Sequence, residues 1–190
     1  MAIVLNWTIS SNDNFVYKEI VMKKLIHFIL KNGLKQADAI VLRKKLLGMV
    51  DHYAIFMGFR NGSPVFLANY RSGVKEVTFS DMQSILATLE PKEIEPFKGS
   101  ENERQKALNR AWSRLGENSY NYTENNCEHF KNYVHHGKDY SDQVKIAADV
   151  TMGTAALVGV AAIATKSPKA GLIAAGLLLL GLYLNESSKT

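Results

Sequence analysis

The chain holds a single cysteine, Cys127, among 190 residues. One thiol excludes an intramolecular disulfide and gives no sign of an oxidising compartment. There is no glycine-rich phosphate loop, and no stretch joins aromatic and basic residues as a nucleic-acid motif would, so no nucleic-acid partner is expected. Metal-ligand spacing is missing too, and the chemistry is expected to need neither metal nor cofactor. The first residues lack a signal peptide's order of basic, apolar and small residues. Charge nearly vanishes after Asp149. What remains is ordinary for a folded protein: 46% hydrophobic, 22% charged, and long enough for one domain with an appended segment. The net charge of +5 suits an anionic phospholipid surface, and it equally suits a solvated basic face.

Taken in order, Met1 to Asn14 ends in a turn cluster, Ser10 to Asn14. From Phe15 to Lys31, Val16, Ile20, Leu25, Phe28 and Ile29 recur at helical spacing, with Lys18, Lys23, Lys24 and Lys31 mostly elsewhere and Gly33 as a stop. This amphipathic extension, residues 1–33, either packs on its own domain or lies on a membrane. Strand-like runs follow at Asp38–Leu42 and Asp51–Gly58. An Asn61-Gly62 turn predicts a hairpin with Val65–Tyr70, and a further strand is expected over Val74–Phe79. A short helix is expected from Ser80 to Leu89, closed by Pro91 and Pro96. Ser100 to Glu103 matches a capping box that opens a helix to Leu115, where Gly116 stops it. Antiparallel strands with helices before and after them indicate an α+β domain.

The centre of the chain is Tyr122-Thr123-Glu124-Asn125-Asn126-Cys127-Glu128-His129-Phe130. Asn126 can cap a helix whose first residue is Cys127. A helix N-terminus favours thiolate over thiol, so a thiol pKa below the usual ~8.5 is expected there. A cysteine nucleophile needs a base, and five histidines are available: His27, His52, His129, His135 and His136. On a helix, His129 lies ~200° round from Cys127, while His135 and His136 face the helix end and His27 has a structural place. His52, on a strand, is the candidate base.

The run Asn126-Cys127-Glu128-His129-Phe130, with Asn132, Tyr133, His136-Gly137 and then Ser141-Asp142-Gln143-Val144, resembles the signature of the lecithin:retinol acyltransferase family. The His52-Tyr53-Ala54-Ile55-Phe56 stretch, closing with Gly58, is similar to that family's histidine box. The resemblance covers residues from about 34 onward. It implies a permuted papain-like thiol-hydrolase domain, residues 34–145, with Cys127 as nucleophile and His52 as base. The vertebrate acyltransferases carry a second histidine on the returning strand. Here a plain alignment puts Phe66 there, which cannot orient an imidazole, and a longer turn after Gly58 puts Asn69 there, which can. Asn69 is the preferred third member. Asn126 and Tyr53 are expected in support, with the helix-start N–H groups as oxyanion donors; Tyr53 has a competing role as a packed strand residue.

Residues 146–190 carry two uncharged runs, Val150 to Thr165 and Ala170 to Leu184, split by Lys166-Ser167-Pro168-Lys169. Each falls short of the ~20 residues that span a bilayer, so an apolar helical hairpin is expected, inserted in a membrane or closed over the core. Leu177 to Leu180 has no polar face, which favours the membrane. The resemblance implies a membrane-associated thiol acyltransferase or phospholipase A facing the cytoplasm, its partners a phospholipid and an acyl acceptor. A Cys-His amidase or peptidase and an inert membrane-interaction module are the alternatives.

Overall fold

Alternation of buried side chains builds the sheet. Ile55 and Met57 of one strand, and Val65 and Leu67 of the next, point to one face, while Ala54, Phe56, Phe66 and Ala68 point to the other. The structure is a computed structural model that describes residues 23, 25–44, 51–78, 81–82, 85 and 89–189. Five strands, β1 (Ala39–Lys44), β2 (Asp51–Arg60), β3 (Ser63–Tyr70), β4 (Gly73–Glu76) and β5 (Leu89–Glu95), pair antiparallel in the order β4-β3-β2-β1-β5. Then come helices α1 (Glu101–Ser113), α2 (Cys127–His136), α3 (Asp142–Thr165) and α4 (Pro168–Ser187). This is the expected α+β arrangement, an antiparallel sheet with helices and two apolar helices at the C-terminal end.

Both faces of the sheet are covered. On one, Ala107, Leu108 and Ala111 of α1 and Phe130 and Val134 of α2 meet Ile55, Leu67 and Val74. On the other, the helical residues 25–31 bury Leu25 and Ile29 against Ile40, Phe56 and Phe66. The rest of that predicted helix, with Val16, Ile20, Lys18 and Lys24, and the whole of the Ser10–Asn14 cluster, lie outside the described residues. The Ser100 capping box is present in both directions, its side chain accepting from the Glu103 N–H while the Glu103 carboxylate accepts from the Ser100 N–H.

The β2–β3 hairpin turns through Asn61 and Gly62, both at positive φ, as a two-residue turn demands. A bulge at Met57–Gly58 adds one residue to β2, and the Met57 carbonyl it frees accepts from Gln36 Nε2 at 2.8 Å. β5 corrects the sequence reading, which placed a helix up to Leu89 and let Pro91 close the segment. Of the expected helix, Asp81, Met82 and Ile85 are helical and the others up to Thr88 lie outside the described residues. Pro91 is accommodated because β5 is an edge strand, where one side of the backbone has no partner to supply.

One glycine ties the sheet to the loop that leads to Cys127. Gly73 has φ +96°, and a Cβ there would run into the Glu117 carbonyl oxygen. That oxygen accepts from the Val74 N–H, and the Val74 carbonyl accepts from the Gly116 N–H, each at 2.8 Å. Gly73→Ala is therefore expected to cost about 2–5 kcal/mol, a left-handed backbone penalty plus overpacking strain. Gly62→Ala, at positive φ with open space around it, should cost only the first. Urea unfolding of the two variants checks this; equal losses would contradict it.

Candidate active site

Each residue of the Asn126–Phe130 run has its own physical task. Asn126 is the N-cap of α2, its Oδ1 accepting from the Glu128 and His129 N–H groups at 2.8 and 3.1 Å. Cys127 is the first helical residue and is 3% exposed. Glu128 turns to α3, where its Oε2 accepts from Ser141 Oγ at 2.5 Å and from the Gln143 N–H at 3.0 Å, a carboxylate on a helix N-terminus. His129 reaches the far end of α4: Nε2 lies 3.2 Å from the Ser187 carbonyl and Nδ1 3.4 Å from the Asn126 N–H. Those partners suit a neutral ring with the proton on Nε2, and burial holds its pKa below the usual value. Phe130 is fully buried in the core.

The loop before Cys127 is braced just as fully. Asn121 and Asn125 exchange backbone hydrogen bonds at 3.1 and 3.0 Å. The Asn125 amide nitrogen donates to Glu117 Oε1 and Ser119, and its Oδ1 accepts from Asn69 Nδ2 and Arg114 Nη2. Arg114 also pairs with Glu117 and Asp139. Those bonds, Arg114 first, push the Glu117 carboxyl down to about 2 despite its partial burial. The brace thus stays charged well into the acid range.

His52 Nδ1 stands 3.6 Å from Cys127 Sγ, and the Asp51 carbonyl is 3.7 Å from the same sulfur. For the imidazole to take the thiol proton, Nδ1 must be its unprotonated nitrogen. The thiol itself departs from expectation. Burial raises its pKa most and the Glu128 charge adds to that, outweighing the backbone N–H groups of Tyr53, Cys127 and Glu128 that favour the thiolate, so the pKa rises to about 11. The resting site therefore holds a protonated thiol beside the His52 ring. Alkylation of Cys127 by iodoacetamide should accelerate through the alkaline range toward an inflection near 11; an inflection below 7 would mean a preformed thiolate–imidazolium pair.

A cavity of about 580 Å³ opens at this sulfur, lined by Cys127, His52, Asn69, Tyr120, Tyr122 and Arg71, and by Gln143, Val144, Ala147 and Leu184 of the last two helices. The β2–β3 pairing runs only to Ile55↔Leu67, and beyond it the residues Asn125 and Asn126 receive the Asn69 amide. Asn69 is 3% exposed and donates to the Asn125 carbonyl at 3.0 Å as well as to its side chain. Asn69 thus shares the cavity with Cys127 and His52, whereas Phe66 pairs with Phe56 and is buried on the other face. The Tyr53 ring packs beside the core with Lys131 Nζ 5.0 Å from its centroid, and its backbone N–H faces the sulfur. The other histidines stand apart from the thiol. His135 Nε2 lies 2.8 Å from the Ala37 carbonyl, His136 stacks on Tyr140, and His27 is exposed. Among the described residues no cluster of ligands could hold a metal.

Sequence reasoning missed the tasks of Glu128 and His129, and with them the part that α3 and α4 take in the cavity. The only available sign was that the family resemblance takes in Ser141-Asp142-Gln143-Val144 as well as the Asn126–Phe130 run, two stretches that the buried Glu128–Ser141 contact joins. Comparison with curated proteins gave no match. The family described as Lecithin retinol acyltransferase matches residues 32–140, more than half the chain and every cavity residue from His52 to Cys127. That family's activity is of acyltransferase and phospholipase type, with lipid substrates. With the histidine strand, the capped cysteine and the cavity between them inside the matched region, the chain belongs to the lecithin retinol acyltransferase family.

Proposed function

We propose that this chain is a thiol acyltransferase or phospholipase A that cleaves glycerophospholipid esters through an acyl-thioester on Cys127. The observation that carries the proposal is the 3.6 Å approach of His52 Nδ1 to a buried thiol at a helix start, inside a cavity with an apolar wall. His52 takes the Sγ proton as the sulfur attacks the ester carbonyl, which suits a thiol held protonated at rest. The Cys127 N–H, ahead of the helical ladder, donates to the developing oxyanion. Collapse breaks the ester C–O bond, and the imidazolium returns its proton to the leaving lysophospholipid oxygen. Water or an amine then attacks the thioester, with His52 as base, and releases fatty acid or an acylated product. Asn69 is the third member, and its bonds to Asn125 and Asn126 support a positioning role on the loop that presents the nucleophile. Asn126 and Tyr53 support through the cap and a backbone N–H.

The C-terminal helices give the substrate its setting. They are 24 and 20 residues long, ~36 and ~30 Å, because α3 runs back through Asp142–Asp149 and α4 on to Ser187. Both are therefore longer than the uncharged runs alone, and both are long and apolar enough to cross a membrane. They pack on each other, with Ala155 and Ala162 buried and Gly159 close to Ala174, while Ile163, Leu172 and Leu179 face outward. This supports a bilayer-inserted hairpin over residues 146–190, rather than one closed over the core, and a reduced thiol suits the cytoplasmic side. The decisive assay incubates the full-length protein with phosphatidylcholine vesicles, follows its flotation and analyses the lipids. Lysophosphatidylcholine with fatty acid or an acylated amine is the expected product set. Vesicle binding without lipid conversion would favour the inert module, and cleavage of amide substrates alone would favour an amidase.

A further inference from the structure

The hairpin is built into the cavity at both of its ends. At its start Ser141 and Gln143 hold Glu128, Gln143 Oε1 accepts from the Asp51 N–H next to His52, and Val144 and Ala147 line the cavity. At its finish the Ser188 carbonyl accepts from the Ser141 N–H at 2.8 Å, and the Ser187 carbonyl meets His129. One turn earlier, Tyr183 Oη donates to Glu124 Oε1 at 3.0 Å and lies 3.3 Å from Thr123 Oγ1. These contacts seat Leu184, half-buried, at the cavity that holds Cys127. Among the residues lining it, Val144, Ala147 and Leu184 are the aliphatic ones, and Leu184 is the largest and the only one from α4.

We propose that Leu184 is the specificity-determining residue for the acyl chain of the substrate. This rests on the acyl-thioester reading above. An acyl chain whose carbonyl sits at Cys127 finds aliphatic surface only along the Val144–Ala147–Leu184 wall, since the rest of the lining is polar or, at Tyr70, Tyr120 and Tyr122, aromatic with a polar tip. A longer chain has more methylene groups to lay against that wall than a short one, so it gains more from it.

The test compares kcat/KM for 4-nitrophenyl decanoate and butanoate, each below its micellar concentration, using the full-length protein. Leu184→Trp narrows the wall and Leu184→Asn makes it polar, and each is expected to lower the decanoate-to-butanoate ratio about tenfold. A merely weakened fold would scale both rates together. Leu172→Trp, on the outward side of α4, should keep the parental ratio. Because the asparagine variant introduces no extra volume, a folding failure of the tryptophan variant leaves the proposal exposed to refutation. Parental ratios in the Leu184 variants, with both esters still acylating Cys127 by intact mass, would overturn this proposal alone. Failure of either ester to acylate the parent protein would instead overturn the acyl-thioester reading.

Discussion

Cys127→Ser is expected to lower turnover on phosphatidylcholine by about 10³-fold or more while leaving the melt within about 1 kcal/mol of the parent. Cys127 is 3% exposed, and its sulfur meets the His52 ring, the Asp51 carbonyl and the Tyr53 N–H, all of which a hydroxyl can meet. The fold therefore has little to lose. The chemistry has much more, because burial already holds the thiol proton up to about 11 and a serine hydroxyl would hold its own far more firmly. His52 can draw a proton from a thiol of that acidity during attack, but not readily from an alcohol in the same apolar setting. Undiminished lipid cleavage by the serine variant would remove Cys127 from the mechanism.

Asn69→Ala and Asn69→Asp are expected to cost about 10²-fold in kcat each. Asn69 Nδ2 meets the Asn125 carbonyl, the Asn125 side-chain oxygen and the Asn126 carbonyl, all immediately before the nucleophile. Alanine leaves those buried acceptors without their donor. Aspartate keeps the shape and turns a donor into a negative oxygen aimed at them, so it should be no better than alanine. The aspartate variant separates two roles for this residue. A carboxylate would serve well if the task were to accept a hydrogen bond from the His52 ring, and it fails if the task is to hold the loop. Parental kcat in Asn69→Asp would assign Asn69 to the imidazole instead.

Local chemistry is readable from the residues themselves. The Asn126 cap, the Ser100 capping box and the Asn61-Gly62 turn each depend on groups within three residues, and all three form as expected. The pairing of His52 with Cys127, 75 residues apart, follows from the family resemblance and the elimination of other histidines. What could not be read depends on placement in space. β5 forms around Pro91 only because it lies at the edge of a sheet whose order no local pattern reveals. The bulge at Met57–Gly58 shifts the hairpin register by one residue, a shift that no local pattern marks. The thiol pKa runs opposite to the sequence expectation because the helix terminus is a local feature and burial is a property of the whole assembled cavity. Glu128 and His129 find partners on α3 and α4, 13 and 58 residues on, so an apparent anchor became a wall of the site.

The acyl-thioester on Cys127 carries the proposed chemistry, and intact-mass analysis tests it most directly. The full-length protein would be mixed with dipalmitoyl phosphatidylcholine in mixed micelles, quenched in acid within seconds and weighed alongside Cys127→Ser. The expected result is a single palmitoyl addition, about 238 Da by ester-to-thioester arithmetic, released by neutral hydroxylamine and missing from the serine variant. Lipid turnover with no adduct at any quench time, or an equal adduct on the serine variant, would contradict the thioester mechanism.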